Sequence, residues 1–95
     1  MKHREPFKFR LYVAGDTQNS IQAKSNLSEI CQESLAGQHE IEIVDVFQEP
    51  KKALADGILM TPTLVKLSPD PMVKIIGTLS NKATVLQALG LEIHS

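Results

Sequence analysis

The chain has 95 residues, enough for one domain with a single modest core. Hydrophobic residues make up 42% and charged residues 22% of it, a composition typical of a globular protein and not of a disordered one. A formal net charge of -1 excludes a strongly basic surface, so neither nucleic acid nor an anionic membrane is a predicted partner. No apolar run approaches the roughly 20 residues needed to span a bilayer. We therefore predict a single cytoplasmic domain over residues 1–95.

The first half of the sequence predicts a strand, a helix and a second strand. Residues 7–14 (FKFRLYVA) alternate apolar with polar side chains, as in a strand with one buried face. A helix up to about Leu35 follows, because several side-chain oxygens between residues 16 and 20 can cap its start and Gly37 can end it. Residues 40–47 (EIEIVDVF) predict a strand whose later part is deeply buried. Two strands joined through a helix in this way lie parallel.

The second half predicts a short helix, two strands and a last helix. These elements cover residues 51–56, 63–67, 73–77 and about 82–89. Pro50 and Gly57 bound the short helix, and Asn81 can cap the last one. The proline-rich connection at residues 68–71 is tight, so the strands on either side of it pair antiparallel. The order β-α-β-α-β-β-α predicts an α/β, thioredoxin-like fold, with a four-stranded mixed sheet flanked by helices.

The start of the first helix lacks the thiols of a redox protein. A thioredoxin-like enzyme needs a Cys-x-x-Cys pair there, and this chain has TQNS at residues 17–20. The only cysteine, Cys31, lies in a helical pattern and is interpreted as a small buried hydrophobe, with a thiol enzyme that uses Cys31 as an alternative. Tyr12 and Ser20 are interpreted as a strand residue and a helix cap, and not as the activating hydroxyl of a glutathione transferase.

The remaining titratable residues predict no catalytic, cofactor or metal site. His3, His39 and His94 match no metal-binding spacing, so each is predicted to be solvated. Asp45 ends a predicted strand and is interpreted as a cap of the next turn, and not as a general acid or base. No catalytic set assembles from these residues, which favours a non-catalytic protein without a cofactor.

Four segments resemble, in order and spacing, the KaiB family of the cyanobacterial circadian clock. They read LYVAGDTQNS, VDVFQEP, ILMTPTLVKL and KIIGTLSNK. The similarity extends over about residues 8–86. It implies a thioredoxin-like domain that is used as a binding surface and has no redox centre. It also implies a KaiC-like ATPase as partner, with a KaiA-like protein or a histidine kinase as further partners.

The resemblance implies two folds and self-association as well. In the second state of the family, the carboxy-terminal half is refolded from about the Thr-Pro-Thr segment onward. Thr61, Pro62 and Thr63 are therefore predicted to form a conformational switch, with a cis Thr61–Pro62 bond in the thioredoxin-like state. A homo-oligomer, either a dimer or a tetramer, is implied. Ala88 favours a helix over residues 82–89, so we expect the thioredoxin-like state to be populated without a partner.

The predicted partner-binding residues also come from this resemblance. KaiB proteins commonly have basic residues at the positions of Gln22, Gly57 and Val73, whereas Lys66 and Lys74 keep that character. We predict that partner binding involves Lys66, Lys74, Gln22 and Gly57. The departures indicate a divergent, auxiliary homologue. The alternative is the amino-terminal sensory domain of a SasA-like histidine kinase.

Overall fold

A computed structural model describes residues 5–91. Its elements are β1 (Phe7–Val13), α1 (Gln18–Ser34), β2 (His39–Asp45), α2 (Pro50–Ala55), β3 (Thr63–Ser68), β4 (Val73–Ile76) and α3 (Lys82–Ala88). The strands form one sheet in the order β2-β1-β3-β4. β1 is parallel to β2 and antiparallel to β3, and β4 is antiparallel to β3. The predicted α/β, thioredoxin-like architecture is confirmed.

The larger core fills the space between one face of the sheet and the helices α1 and α3. Alternate residues of β1 point to this face, and Leu64 joins them from β3. The buried members are Phe9, Leu11, Val13, Ala23, Leu27, Ile30, Cys31, Leu35, Leu64, Leu79, Val85, Leu86 and Leu89. Each large aliphatic side chain buried here stabilises the fold by about 1.5–3 kcal/mol, so this layer determines where both helices lie.

A smaller core lies on the opposite face, beneath α2. It contains Tyr12, Val44, Ala53 and Val65, all buried. α2 is only six residues long and begins at Pro50, as a proline at the first helical position favours. Because so short a helix covers only part of the sheet, the residues of β4 on this face are exposed to solvent.

Side-chain caps lie at the predicted starts of α1 and α3 and at the turn after β2. The Thr17 hydroxyl accepts a hydrogen bond from the Ser20 amide at 3.4 Å, which caps α1. The Asn81 side chain accepts from the Thr84 amide at 3.2 Å and caps α3. The Asp45 carboxylate accepts from the Phe47 amide at 2.9 Å, so the interpretation of Asp45 as a turn cap is confirmed. Each of the two helix caps contributes about 1 kcal/mol.

The prediction that the later part of the second strand is deeply buried is wrong. β2 ends at Asp45, and of its residues only Val44 is buried. Ile43 is 44% exposed and Phe47, beyond the strand, is 74% exposed. The physical reason is the strand order: β2 lies at the edge of the sheet, where only β1 covers it. An apolar run therefore continues into a loop that reaches the surface.

Candidate protein-binding surfaces

The β1–α1 loop, where a redox protein carries its thiols, is held by hydroxyl groups. Ser20 is fully buried, and its oxygen accepts hydrogen bonds from the Ala14 amide at 3.1 Å and the Thr17 hydroxyl at 2.8 Å. The first bond ties the first turn of α1 to the end of β1, and the second joins that turn to the N-cap residue of the helix. Ser20 is therefore engaged in holding the helix start, in agreement with its interpretation as a structural residue.

The thiol of Cys31 is unsuited to redox chemistry. Cys31 is fully buried on the face of α1 that packs against the sheet. Burial raises the pKa of this thiol to about 11. Since the thiolate is the reactive species, a thiol that is protonated at neutral pH is a poor nucleophile. The environment of Cys31 therefore opposes the alternative of a thiol enzyme.

A network of polar side chains lies on the α2 face of the sheet. The Arg10 guanidinium donates to Glu42 through Nε at 2.8 Å and to Asp56 through Nη1 at 2.9 Å. The Tyr12 hydroxyl donates to the same Asp56 oxygen and faces the Lys52 carbonyl at 3.3 Å. The Lys52 ammonium group donates to Glu42 at 2.7 Å. These contacts join β1, β2 and the end of α2.

The protonation states of the side chains in this network fit a structural role. The hydrogen bond from Tyr12 holds the pKa of Asp56 below its usual value, and the bond from Lys52 does the same for the pKa of Glu42. Burial raises the pKa of Tyr12 to about 12, so its hydroxyl is protonated at neutral pH. Tyr12 is therefore a hydrogen-bond donor to a carboxylate.

The structure brings two of the predicted partner-binding residues together. Lys74, which is exposed on β4, donates a hydrogen bond to the backbone carbonyl of Asp56. The next residue, Gly57, has a φ of +69°, and a Cβ atom at this position would lie 3.3 Å from the Lys74 ammonium nitrogen. We refer to Gly57 and Lys74 as the basic corner. Both were predicted from the sequence, but their proximity was not.

The other two predicted partner-binding residues lie elsewhere. Lys66 is only 4% exposed, and its ammonium nitrogen lies 5.5 Å from the centre of the Phe7 ring on the α1 face of the sheet. Lys66 is buried because it shares the face of Leu64, two residues earlier in β3. Gln22 is exposed on α1, and its amide donates to the Ser80 hydroxyl at 3.3 Å. The four residues therefore do not form one continuous patch.

The predicted switch segment joins the start of β3 to the end of β4. The Thr61–Pro62 bond is cis, as the resemblance implies. The carbonyl of Pro62, which is buried, accepts from the Gly77 amide at 2.9 Å. The Thr63 hydroxyl donates to the Met60 carbonyl at 2.6 Å. These bonds hold the segment in place at the carboxyl end of β1.

An exposed apolar cluster at this end of the sheet was not predicted. Phe47 is 74%, Leu59 92% and Met60 60% exposed. They border a cleft of about 210 Å³, which we call the apolar cleft. Its lining residues are Ala14, Val46, Phe47, Ala53, Ile58, Leu59, Met60 and Thr61. The signal in the sequence is the uninterrupted apolar run Ile58–Met60, which lies directly before Thr61 and outside the predicted strand at residues 63–67.

The remaining candidates from the sequence form no site in the described part of the chain. His39 donates through Nδ1 to the Leu35 carbonyl at 2.8 Å. His3 and His94 lie outside the described residues. Within residues 5–91, no three His, Cys, Asp or Glu side chains are grouped so that they could hold a metal ion. In the same range no helix has both the length and the apolar character to cross a membrane.

Comparison with known proteins decides the family. The model of the KaiB domain matches residues 10–91, which is most of the chain. The chain belongs to the KaiB family. This KaiB-family chain is 46% identical over 84 residues to the circadian clock protein KaiB3 of Synechocystis sp., with 88% of this chain and 80% of that protein covered. It is 42% identical over 90 residues to the circadian clock oscillator protein KaiB of Thermosynechococcus vestitus, covering 95% and 82%.

Solved structures agree on the fold of this KaiB-family chain. The N-terminal domain of Synechococcus elongatus SasA superposes with a TM-score of 0.76 at 18% identity, covering 100% of this chain and 93% of that domain. Chloroplastic thioredoxin z superposes with a TM-score of 0.71 at 18% identity, covering 92% and 81%. At these identities the likeness concerns the fold alone. The thioredoxin-like architecture is thus shared with redox proteins whose thiol pair this chain lacks.

Proposed function

We propose that this chain is a non-catalytic protein-binding module that binds a KaiC-like ATPase and modulates its state or its recruitment of partners. The observation that carries the proposal is the match of the KaiB domain over residues 10–91. The buried Cys31 supports it, since no reactive thiol is available for redox chemistry. The names of the relatives favour a role in a circadian clock or in a pathway derived from one. A cytoplasmic location and a homo-oligomeric state stay predictions.

The basic corner supplies the exposed positive charge for this partner. Lys74 is exposed, whereas Lys66 is buried in this conformation, so Lys74 is the basic contact that we assign to the thioredoxin-like state. Charges at the rim of an interface act mainly on the association rate and on its salt dependence. Gln22, on α1, and Gly57 are the other exposed positions of the predicted set.

The proposal is tested by measuring association with the KaiC-like ATPase of the same organism. We expect the wild-type chain to bind, and Lys74→Glu to slow association about tenfold at low salt, with a smaller effect at high salt. Lys8→Glu is the matched control, because it reverses the charge of another exposed lysine, at the amino end of β1. Absence of wild-type binding refutes the function. Equal effects of the two charge reversals refute the assignment of Lys74.

A gain-of-function variant gives an independent test of the predicted positions. Gln22→Arg restores the basic character that KaiB proteins commonly have there, and we expect faster association with the ATPase. Gly57 is less suitable for the same test, because its φ of +69° strains any side-chain-bearing residue. Unchanged association of Gln22→Arg at low salt would remove position 22 from the interface.

The switch role of Thr61, Pro62 and Thr63 is also part of this proposal, and rests on the family resemblance. The contacts of the segment support it, because one short stretch connects both strands of the carboxy-terminal half. Backbone NMR of the free protein tests it. A second set of resonances for residues 63–91, with strand character at 85–89, supports a switch. A single helical set for Lys82–Ala88 under all conditions of temperature and concentration contradicts it.

The alternative of a SasA-like sensory domain receives less support. The SasA domain shares the fold at 18% identity, whereas KaiB proteins share 42–46% identity with this chain. The KaiB-type function is therefore the one we propose.

A further inference from the structure

We infer that the free edge of β4 pairs antiparallel with β4 of a second copy of this chain, in the register that places Ile75 opposite Ile75 of the second copy. β4 is the last strand of the sheet, and β3 is its only neighbour among the strands of residues 5–91. This pairing gives a surface to the homo-oligomeric state that belongs to the proposed function. It is tested on the chain without the ATPase, so failure of self-pairing is distinguishable from failure of ATPase binding.

The backbone of β4 has hydrogen-bonding groups that face away from β3. Hydrogen-bonded and non-hydrogen-bonded pairs alternate along an antiparallel ladder. The Gly77 amide donates to the Pro62 carbonyl at 2.9 Å, which continues the register of β3 and β4. Two residues earlier, the backbone groups of Ile75 therefore also face β3, and those of Lys74 and Ile76 face outward. Within residues 5–91 no strand lies on that side, so these outward groups are suited to pair with an added strand.

The side chains of β4 favour self-pairing. The strand (VKII) is apolar apart from Lys74. Ile76 is 62% exposed, as is Met72 directly before the strand. The other edge strand, β2, has three acidic residues among its seven (HEIEIVD), so two copies of β2 would bring many like charges close together. Of the two edges, β4 is therefore the one that suits a second copy.

The lysine on this edge strand is turned towards the middle of the sheet. Lysines on edge strands are one means by which proteins prevent edge-to-edge pairing. The Lys74 ammonium group, however, donates to the Asp56 carbonyl. The side chain of Asp56 contacts Arg10 and Tyr12 on β1, which lies beyond β3 as seen from β4. Lys74 therefore leans over β3, and its charge does not lie across the free edge.

Like-charge repulsion selects the register of the pair. Between two copies of β4, the outward-facing residues Lys74 and Ile76 must form the hydrogen-bonded pairs. Registers centred on Val73 or on Ile76 leave one of these two residues opposite a residue outside the strand. The register centred on Lys74 sets two lysines directly opposite each other, which destabilises a pair. The register centred on Ile75 sets Lys74 opposite Ile76 of the second copy, twice, so that each lysine stem covers an exposed isoleucine.

Cysteine cross-linking of the full chain tests this register. Opposite residues of a non-hydrogen-bonded pair have Cα atoms about 4.5 Å apart, within the roughly 4.4–6.8 Å that a disulfide spans. Two copies of Ile76 lie two residues apart along the strands, about 8 Å between Cα atoms, which is too far. We expect Ile75→Cys to form a disulfide-linked dimer under mild oxidation at least about tenfold faster than Ile76→Cys.

The controls of this experiment are built into the chain. Ile76 is exposed and Ile75 is half-buried, so random collisions would link Ile76→Cys faster. The wild type, whose only cysteine is the buried Cys31, should form no linked dimer. Equal rates for the two variants, or a faster rate for Ile76→Cys, overturn the inference.

Charge variants of Ile76 give a second test that needs no added cysteine, with sedimentation equilibrium as the measurement. In the proposed register Ile76→Glu sets a carboxylate opposite Lys74 of the second copy, and Ile76→Lys sets an ammonium group there. We expect the Kd of the dimer to rise at least about tenfold in Ile76→Lys and to stay equal or fall in Ile76→Glu. Net charge alone predicts the reverse order, because the lysine variant neutralises the net charge of -1 and the glutamate variant increases its magnitude.

Leu54→Lys is the matched control, because Leu54 is an apolar residue of α2 that is 75% exposed and lies away from the edge. It should change the Kd of the dimer by less than about threefold. A wild type that stays monomeric up to about 1 mM, or equal effects of Leu54→Lys and Ile76→Lys, overturns the inference. Circular dichroism confirms that each variant is folded.

Discussion

Replacing Asp56 tests whether the polar network stabilises the fold. Its carboxylate accepts from the Tyr12 hydroxyl and from Arg10 Nη1 at 2.9 Å. In Asp56→Ala the Arg10 guanidinium keeps only Glu42, and the fully buried Tyr12 hydroxyl keeps only the Lys52 carbonyl at 3.3 Å. The change therefore leaves a buried donor with one weak acceptor, which is the costly way to break a hydrogen bond.

The expected magnitudes differ among the members of the network. Hydrogen bonds to a charged group contribute about 1.5–3 kcal/mol, so Asp56→Ala should lower the free energy of unfolding by about 2 kcal/mol. Tyr12→Phe removes one donor and leaves Asp56 paired with Arg10, so it should cost about 1 kcal/mol. Glu42→Ala should cost about 0.5 kcal/mol, because its side chain is 45% exposed and water screens the pair.

The pH dependence gives a second, independent signature. The pKa of Asp56 is lowered in the folded state relative to about 3.9 in an unfolded chain. A lowered folded-state pKa stabilises the fold above about pH 4, and this stabilisation is lost as the pH falls through the folded-state value. The difference in stability between the wild type and Asp56→Asn should therefore shrink from about pH 6 to about pH 3.

Urea unfolding followed by circular dichroism measures these values, at concentrations where the transition does not depend on concentration. In a double-mutant cycle, Tyr12→Phe and Asp56→Ala should show a coupling energy of about 1 kcal/mol. Asp70→Ala, an exposed acid in the β3–β4 turn, is the control and should change stability by less than about 0.5 kcal/mol. Additive costs within about 0.3 kcal/mol, or an equal cost of Asp70→Ala, would refute the reasoning.

Three further outcomes are expected. Cys31, with a buried thiol whose pKa is raised to about 11, should react with iodoacetamide at neutral pH at least about a hundredfold more slowly in the native chain than in urea; comparable rates would show that the thiol is accessible. Ser20→Ala should lower the free energy of unfolding by about 1–2 kcal/mol, because the Ala14 amide and the Thr17 hydroxyl lose their acceptor. Its control, Ser25→Ala on the exposed face of α1, should be nearly neutral in the same urea titration. Asn81→Ala should cost about 1 kcal/mol and Asn81→Ser should recover most of it, and equal losses in both would argue against a side-chain cap.

Sequence periodicity and cap chemistry predicted all seven elements and their order. The alternation in β1 predicted its buried face, and the oxygens near Thr17 and at Asn81 predicted where α1 and α3 begin. These signals are local, because a side chain caps or faces its own element. They required no knowledge of which strands are neighbours.

The errors and omissions depend on strand order and on contacts distant in sequence. The exposure of Phe47 follows from the edge position of β2, which periodicity does not reveal. The burial of Lys66, a predicted partner-binding residue, could not be read from the sequence, because the first four residues of β3 are buried on both faces of the sheet and alternation cannot tell which side chain meets solvent. Arg10 and Asp56 are 46 positions apart, and only the register of the folded sheet brings them together.

The contact that holds Lys74 has a consequence for the proposed binding of a partner. In the part of the chain that the structure describes, its ammonium group is bound to the backbone carbonyl of Asp56 and to no carboxylate. A carbonyl acceptor is present whatever side chain occupies position 56, so this resting contact tolerates sequence change there. A carboxylate forms a hydrogen bond with an ammonium group that is about twice as strong as a neutral one. An acidic side chain of a partner can therefore replace the Asp56 carbonyl as the hydrogen-bond acceptor of Lys74. The carbonyl that is released is uncharged, so the exchange leaves no buried charge without a partner.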